Sequence, residues 1–230
     1  MRISHKNKFI FFANPKSGST TMRALLNPFS EISGIPFPEI TADMPFHTHM
    51  QPIEAKAAFA KKEWDYDSYF KFTTVRNPWA RLVSLYEHIY SPKPRYDGSL
   101  KAKVMHWFKY MNRPYFKTWL LAVDPNGKGA VSDSQPGAKW RQYSVYSIDK
   151  YVSDEYGNVL VDEILKLENL GSLLPNILEK LHLPADAASS IAVRNQRTND
   201  SNYKQYYDEE SIDFIKTHYR SEIENFGYQF

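Results

Sequence analysis

The chain alternates short apolar runs with polar, turn-rich stretches, and the runs are of two kinds. Lys8 to Asn14 (KFIFFAN) is continuous, aromatic and too short for a helix. It predicts a buried parallel strand that stops at Pro15. The period then changes. Met22, Leu25 and Leu26 are spaced i, i+3, i+4 behind a cluster of Ser and Thr, which predicts a helix with capping residues at its start. The same order returns once. Tyr69 to Val75 (YFKFTTV) predicts a strand, Arg76-Asn77-Pro78 breaks it, and Pro78 suits a first helical turn. Trp79, Leu82, Val83, Tyr86 and Tyr90 then mark one helical face. Two strand–loop–helix units predict an α/β domain built on a parallel sheet.

The remaining stretches are read more coarsely. Asn27 to Glu54 is rich in Pro and lacks a period, so it predicts a long surface segment, and segments of that length usually carry function. Ser91 to Gly98 (SPKPRYDG) is a break, and Lys101 to Leu121 is aromatic and helical in pattern. Asp124 to Gly137 predicts a mobile loop. Val159 to Leu167 predicts a strand and Leu170 to Leu181 a helix. A last helix opens at Asp208-Glu209-Glu210, whose charges complement its dipole, with Ile212, Ile215, Tyr219 and Ile223 inward.

Composition narrows the class. A length of 230 residues fits a single domain, 1–230. Hydrophobic residues at 42% supply a core. A net charge of +3 is too small to argue for duplex nucleic acid, yet it allows a local basic pocket for a small anion. The absence of cysteine excludes disulfides, thiolate nucleophiles and cysteine-ligated metals, and fits a reducing cytosol. The start, Met1 to Lys8, lacks a secretory apolar region, and Phe9 to Ala13 falls far short of the roughly 20 residues that span a bilayer. The expectation is a soluble, cytoplasmic protein with neither a nucleic-acid nor a membrane partner.

Chemistry concentrates at the two strand ends. Pro15-Lys16-Ser17-Gly18-Ser19-Thr20-Thr21 places one ammonium, four hydroxyls and a glycine where a strand turns into a helix. Unsatisfied N–H groups at such a helix start carry about half a positive charge, which suits an anion. Gly18 permits close approach of the backbone. The alternative is that Ser and Thr only cap the helix. The order of residues argues against a magnesium-nucleotide loop, because Lys16 precedes Gly18 and the first glycine of that motif is missing. The neighbouring strand ends in the cation Arg76 rather than an acid, so a second anion is expected there. Ser84 lies about two turns into the following helix and can donate a hydroxyl to the same group, with Arg81 on that side. A solvated Arg and a surface Ser are the alternative.

Together these segments resemble the sulfotransferases, and most closely the carbohydrate branch, of Golgi type and 2-O-sulfating kind, here as a soluble form. The family's 5′-phosphosulfate loop is similar to Pro15 to Thr21, and its 3′-phosphate segment to Val75-Arg76-Asn77-Pro78-Trp79-Ala80-Arg81-Leu82-Val83-Ser84-Leu85-Tyr86. Weaker similarities follow in Val161 to Leu170, with Glu168 at the family's acidic position, and in Tyr203 to Phe230. The resemblance implies a P-loop-NTPase-like three-layer α/β fold, a central parallel sheet flanked by helices. It implies 3′-phosphoadenosine 5′-phosphosulfate as donor, adenosine 3′,5′-bisphosphate as product, and no metal. Pro15, Lys16, Ser17, Gly18, Ser19, Thr20 and Thr21 would hold the 5′ end, Arg76 and Ser84 the 3′-phosphate, and Arg194 would close over the nucleotide.

Transfer to a hydroxyl needs charge stabilisation at the leaving oxygen, a task for Lys16 and the helix start, and a base for the attacking hydroxyl. Of seven histidines, His5 is expected to be solvated, and His88, His106, His182 and His218 to be surface or boundary residues of helices. His47 and His49 stand in the irregular segment between the two phosphate units. Some 2-O-sulfating relatives carry a similar His-x-His with one histidine as base, so His49 is the expected base and His47 its helper. Glu39 and Glu54 are the fallback, and no third ligand accompanies the pair for a metal. The acceptor is expected to be a carbohydrate hydroxyl, with a phenol, tyrosine or small metabolite as alternatives, in a cleft shaped by Trp107 to Trp119 and the loop Asp124 to Gly137. A non-catalytic nucleotide-binding module is the rival function.

Overall fold

The computed structural model describes residues 1–92, 98–125, 139–190 and 200–230. Five strands form one sheet: β1 (Arg2–Ser4), β2 (Phe9–Phe12), β3 (Ile32–Ser33), β4 (Phe70–Val75) and β5 (Glu163–Lys166), in the order β3-β1-β2-β4-β5. β2, β4 and β5 run parallel, with Phe11 opposite Phe72 and Thr74 opposite Leu165. The parallel sheet expected from the sequence is therefore its centre. Two short antiparallel strands extend one edge, where β1 pairs with both β2 and β3. The turn between β1 and β2 is closed by Lys8 in the left-handed region at φ 50.

Burial on both faces explains the continuous apolar run. Phe9, Phe11 and Ala13 point to one side with Phe72 and Leu165, while Ile10 and Phe12 point to the other, the period of two of a strand. The first side is covered by α1 (Ser19–Leu26) and α8 (Leu170–Lys180), through Met22, Leu25, Leu26, Leu174 and Ile177. The second is covered by α2 (Pro52–Lys61), α3 (Pro78–Ile89), α7 (Ile148–Val152) and α9 (Glu209–His218). Each fully buried Phe of this three-layer stack contributes on the order of 2–3 kcal/mol.

The helical segments differ from expectation at three places. Lys101 to Leu121 divides into α4 (Leu100–Met111) and α5 (Phe116–Leu121), because Pro114 cannot continue a helix. The last helix divides into α9 and α10 (Arg220–Phe226), with Gly227 at φ 59 in the left-handed cap. α2, α6 (Lys139–Val145) and α7 carried no clear signal. Most of the expected loop Asp124 to Gly137 lies outside the described residues.

Asn27 to Glu54 runs along the surface as far as residue 45, with no residue buried, and then turns inward. Phe46, His47 and Met50 are buried. Ile35 bridges to His47 in parallel, and a Cβ on Gly34 would lie 2.8 Å from the His47 carbonyl oxygen. The segment is folded down onto the β3 edge. His5 is likewise not simply solvated: its Nδ1 meets the Tyr69 hydroxyl at 2.6 Å, and its ring packs edge-on to Trp64.

Candidate active site

The loop between β2 and α1 has the backbone of an anion cradle. Lys16 at φ 65 and Gly18 at φ 79 are both left-handed and flank Ser17. Alternation of this kind turns successive N–H groups to one concave side. Among the described residues no backbone carbonyl accepts from the N–H groups of Ser17, Gly18, Ser19 or Thr20. Gly18 is also the N-cap of α1, with no side chain to cap it. Holding a lysine left-handed costs on the order of 1–3 kcal/mol, strain of a kind that clusters at functional sites.

The loop is fastened from below. Asn14 Nδ2 donates to the Thr74 carbonyl at 3.1 Å. The Ser17 hydroxyl donates to the Asn14 carbonyl at 2.7 Å and lies 3.1 Å from Thr74 Oγ1. Ser17 therefore does not offer its hydroxyl outward as expected; it ties the loop to β4 and is fully buried. Pro15 and Ser19 are buried as well, Thr21 is half-buried, and Thr20 is exposed with Arg23 Nη2 donating to it at 3.4 Å. Asn14, Thr74 and Arg23 escaped sequence reasoning, which looked for groups facing a ligand and not for those that hold the loop.

The second unit arrives at the same edge because β2 and β4 are parallel neighbours. Arg76, only 8% exposed, donates from Nη1 to the Lys16 carbonyl oxygen at 3.4 Å. Asn77 caps α3, accepting from Ala80 N–H at 3.2 Å, and gives its own N–H to Glu168 Oε1 at 2.7 Å. Ser84 is half-buried in α3. Arg81 is not part of this site. It is fully buried, donates to the Ser144 and Tyr146 carbonyls at 2.7 and 3.0 Å, and faces Glu222 at 3.5 Å. Arg194 lies outside the described residues.

The His-x-His segment reaches the same loop from the sheet edge. His49 Nδ1 sits 2.6 Å from the Ala13 carbonyl, immediately before the cradle. A carbonyl only accepts, so Nδ1 carries the proton and Nε2 keeps its lone pair. Burial pushes the imidazole down to about 3, with Arg23 and His47 acting in the same direction against the Ala13 bond. The ring is neutral at physiological pH. His47 has a different setting. It is 4% exposed, stacks on Tyr143, and places Nε2 3.3 Å from Glu54 Oε2. Burial opposes ionisation of Glu54, but His47, the Gln51 N–H and the Tyr143 hydroxyl outweigh it and hold the carboxyl down to about 2. With its oxygens engaged by His47, the Gln51 N–H and the Tyr143 hydroxyl, Glu54 is tied into the fold rather than offered to an acceptor, and Glu39 is exposed at the end of a short turn. Among the described residues no three His, Cys, Asp or Glu side chains are grouped to hold a metal ion.

The model of the sulfotransferase family matches residues 1–229. The chain belongs to this family. No curated protein and no solved structure matches it. The mixed sheet with its parallel centre and flanking helices is the P-loop-like α/β fold of a sulfotransferase. The stretch Trp107 to Trp119 is split by it. Trp119 packs on Tyr86 and Phe116, whereas Trp107 faces outward. Tyr86, Tyr110, Arg113, Phe116 and Tyr206 line an open cleft of about 620 Å³.

Proposed function

We propose that this sulfotransferase transfers a sulfuryl group from 3′-phosphoadenosine 5′-phosphosulfate to an acceptor hydroxyl, that of a carbohydrate. The contact of Arg76 with the Lys16 carbonyl supports the reading, because it joins the two segments read as anion-binding units beyond the C-terminal ends of β2 and β4. A bisphosphorylated nucleotide needs two such units, and ligands of open α/β sheets bind beyond the strand C-termini. The donor set is also chemically right: backbone N–H groups, hydroxyls, a lysine and a buried arginine all favour anionic oxygens.

The cradle of Lys16, Gly18, Ser19, Thr20 and Thr21 would hold the 5′ end, and Arg76 and Ser84 the 3′-phosphate. Ser17 joins through its backbone, and Pro15 ends the strand beneath it. The donor, when bound, supplies an already activated sulfuryl group. Lys16 and the start of α1 stabilise negative charge at the leaving oxygen. His49, with Nδ1–H held on Ala13, presents Nε2 as proton acceptor for the attacking hydroxyl, and the negative donor raises its basicity. His47 supports that segment from behind.

Calorimetry with adenosine 3′,5′-bisphosphate tests the donor site. Arg76→Ala should weaken binding about 10- to 100-fold, the worth of a lost charged hydrogen bond. An unchanged affinity, or preferential binding of ATP–magnesium, overturns the site. His49→Ala should keep nucleotide affinity and lower turnover roughly 100-fold. Incubating the protein and the sulfate donor with a glycan and phenol library, read by mass spectrometry, identifies the acceptor. Sulfation of phenols alone refutes the carbohydrate reading, and tight nucleotide binding with no sulfated product favours the non-catalytic module.

A further inference from the structure

Helix α4 is packed inside out. Its half-buried residues are Ala102, His106, Lys109 and Tyr110, spaced i, i+4, i+7, i+8. These face the body: His106 Nδ1 meets the Ser91 carbonyl at 3.1 Å, and Lys109 Nζ sits 5.5 Å from the centre of the Tyr90 ring. The opposite stripe has the same spacing and consists of Leu100, Val104, Trp107, Phe108 and Met111, exposed by 78, 44, 52, 56 and 58%. An amphipathic helix on a soluble domain turns its apolar stripe to the core. Here none of the 12 residues is buried, and the apolar stripe faces away from the other described residues.

The charges beside that stripe have one sign. Lys101 and Lys103 flank it and Arg113 follows it, while the sequence from Gly98 to Val123 contains no Asp or Glu. Lys117 is already engaged by Asp208 and Glu210. Trp107 and the exposed Tyr115 add amphipathic rings of the kind that settle at headgroup level. A second copy of the chain would set cation against cation across such a face, which is unfavourable. An anionic lipid surface complements both the apolar stripe and its lysines.

We propose that α4 docks on the surface of an anionic bilayer and lies in the interface plane. Leu100, Val104, Trp107, Phe108 and Met111 enter the acyl boundary, and Lys101 and Lys103 meet lipid phosphates. Among the described residues no helix is long and apolar enough to cross a membrane, and lying on one is a separate property. The absence of a membrane partner is expected from the missing secretory region and the short apolar run, and neither bears on a helix that lies on a membrane.

Co-sedimentation of the full chain with vesicles tests this. The protein should bind vesicles of phosphatidylcholine with phosphatidylserine, bind phosphatidylcholine alone far less, and release as salt rises. Trp107→Glu, and separately Lys101→Glu with Lys103→Glu, should each lower partitioning at least about tenfold while leaving Tm unchanged, since these side chains are exposed. Failure to bind anionic vesicles, or binding indifferent to these substitutions, overturns the proposal. So does a wild-type dimer in light scattering that Trp107→Glu converts to a monomer, which would place a second copy on the face.

Discussion

Replacing Gly18 by alanine probes the cradle with the least change in chemistry. Two separate costs are built in. The backbone at φ 79 is left-handed, which costs an alanine about 1–2 kcal/mol. A Cβ at this position would also sit 2.3 Å from Leu167 Cδ1, well inside contact distance. Overpacking of this sort costs about 1–3 kcal/mol, and the low end applies because Leu167 is flexible at that end. We expect Gly18→Ala to destabilise the fold by about 2–3 kcal/mol in total. Urea unfolding of four proteins measures it: wild type, Gly18→Ala, Leu167→Ala and the double variant. In the Leu167→Ala background only the backbone term survives, so the cost of Gly18→Ala should fall to about 1–2 kcal/mol. A cost below about 0.5 kcal/mol in the wild-type background would refute the left-handed cradle. An equal cost in both backgrounds would refute the packing of β5's end against the loop.

Other expectations concern charge. His49 is neutral in the fold with its pKa at about 3, against an ordinary 6.5, so the unfolded chain takes up its proton first as pH falls. Its contribution is complete above about pH 6.5 and shrinks toward pH 3, and by pH 5 the protein should lose about 2 kcal/mol relative to pH 8. His49→Gln should flatten that slope in thermal unfolding; Glu54, held down to about 2, begins to act only below pH 4.5. Arg81→Met leaves the Glu222 carboxyl buried without its cation and should cost about 3–5 kcal/mol, with part recovered in Arg81→Met/Glu222→Leu. A single variant as stable as the wild type in urea would contradict the buried pair.

The two strand–loop–helix units were legible because their chemistry is local. β2 and β4 are buried on both faces and so read as unbroken apolar runs, and Pro15 and Pro78 punctuate them. β1 and β3 have three and two residues, too few to show a period. α2 was hidden because its apolar face is built from Pro52, Ala55, Ala58 and Phe59, and its capping Glu54 was read as chemistry. The site divides along the same line. Lys16, Gly18 and Arg76 announce themselves by position, whereas the tie of Ser17 to β4 and the role of Arg81 depend on partners 57 to 141 residues away. Residue type alone could not separate a hydroxyl that ties a loop from one that meets a ligand.

The start of α3 is completed from far along the chain. Asn77 donates from its side-chain amide to the Gln229 carbonyl at 3.0 Å, across 152 residues. Glu168 bonds both the Asn77 N–H and the Tyr228 hydroxyl, at 2.7 and 3.1 Å. The Tyr207 hydroxyl closes on the Trp79 carbonyl at 2.9 Å. Contacts this distant repay their loop-closure entropy late, after local helices and the central strand pair have formed. The mouth around Arg76 should therefore be the last region to become native. In refolding, nucleotide-binding competence would lag behind recovered helicity, and that delay would serve as a clock for the final docking of the C-terminal segment.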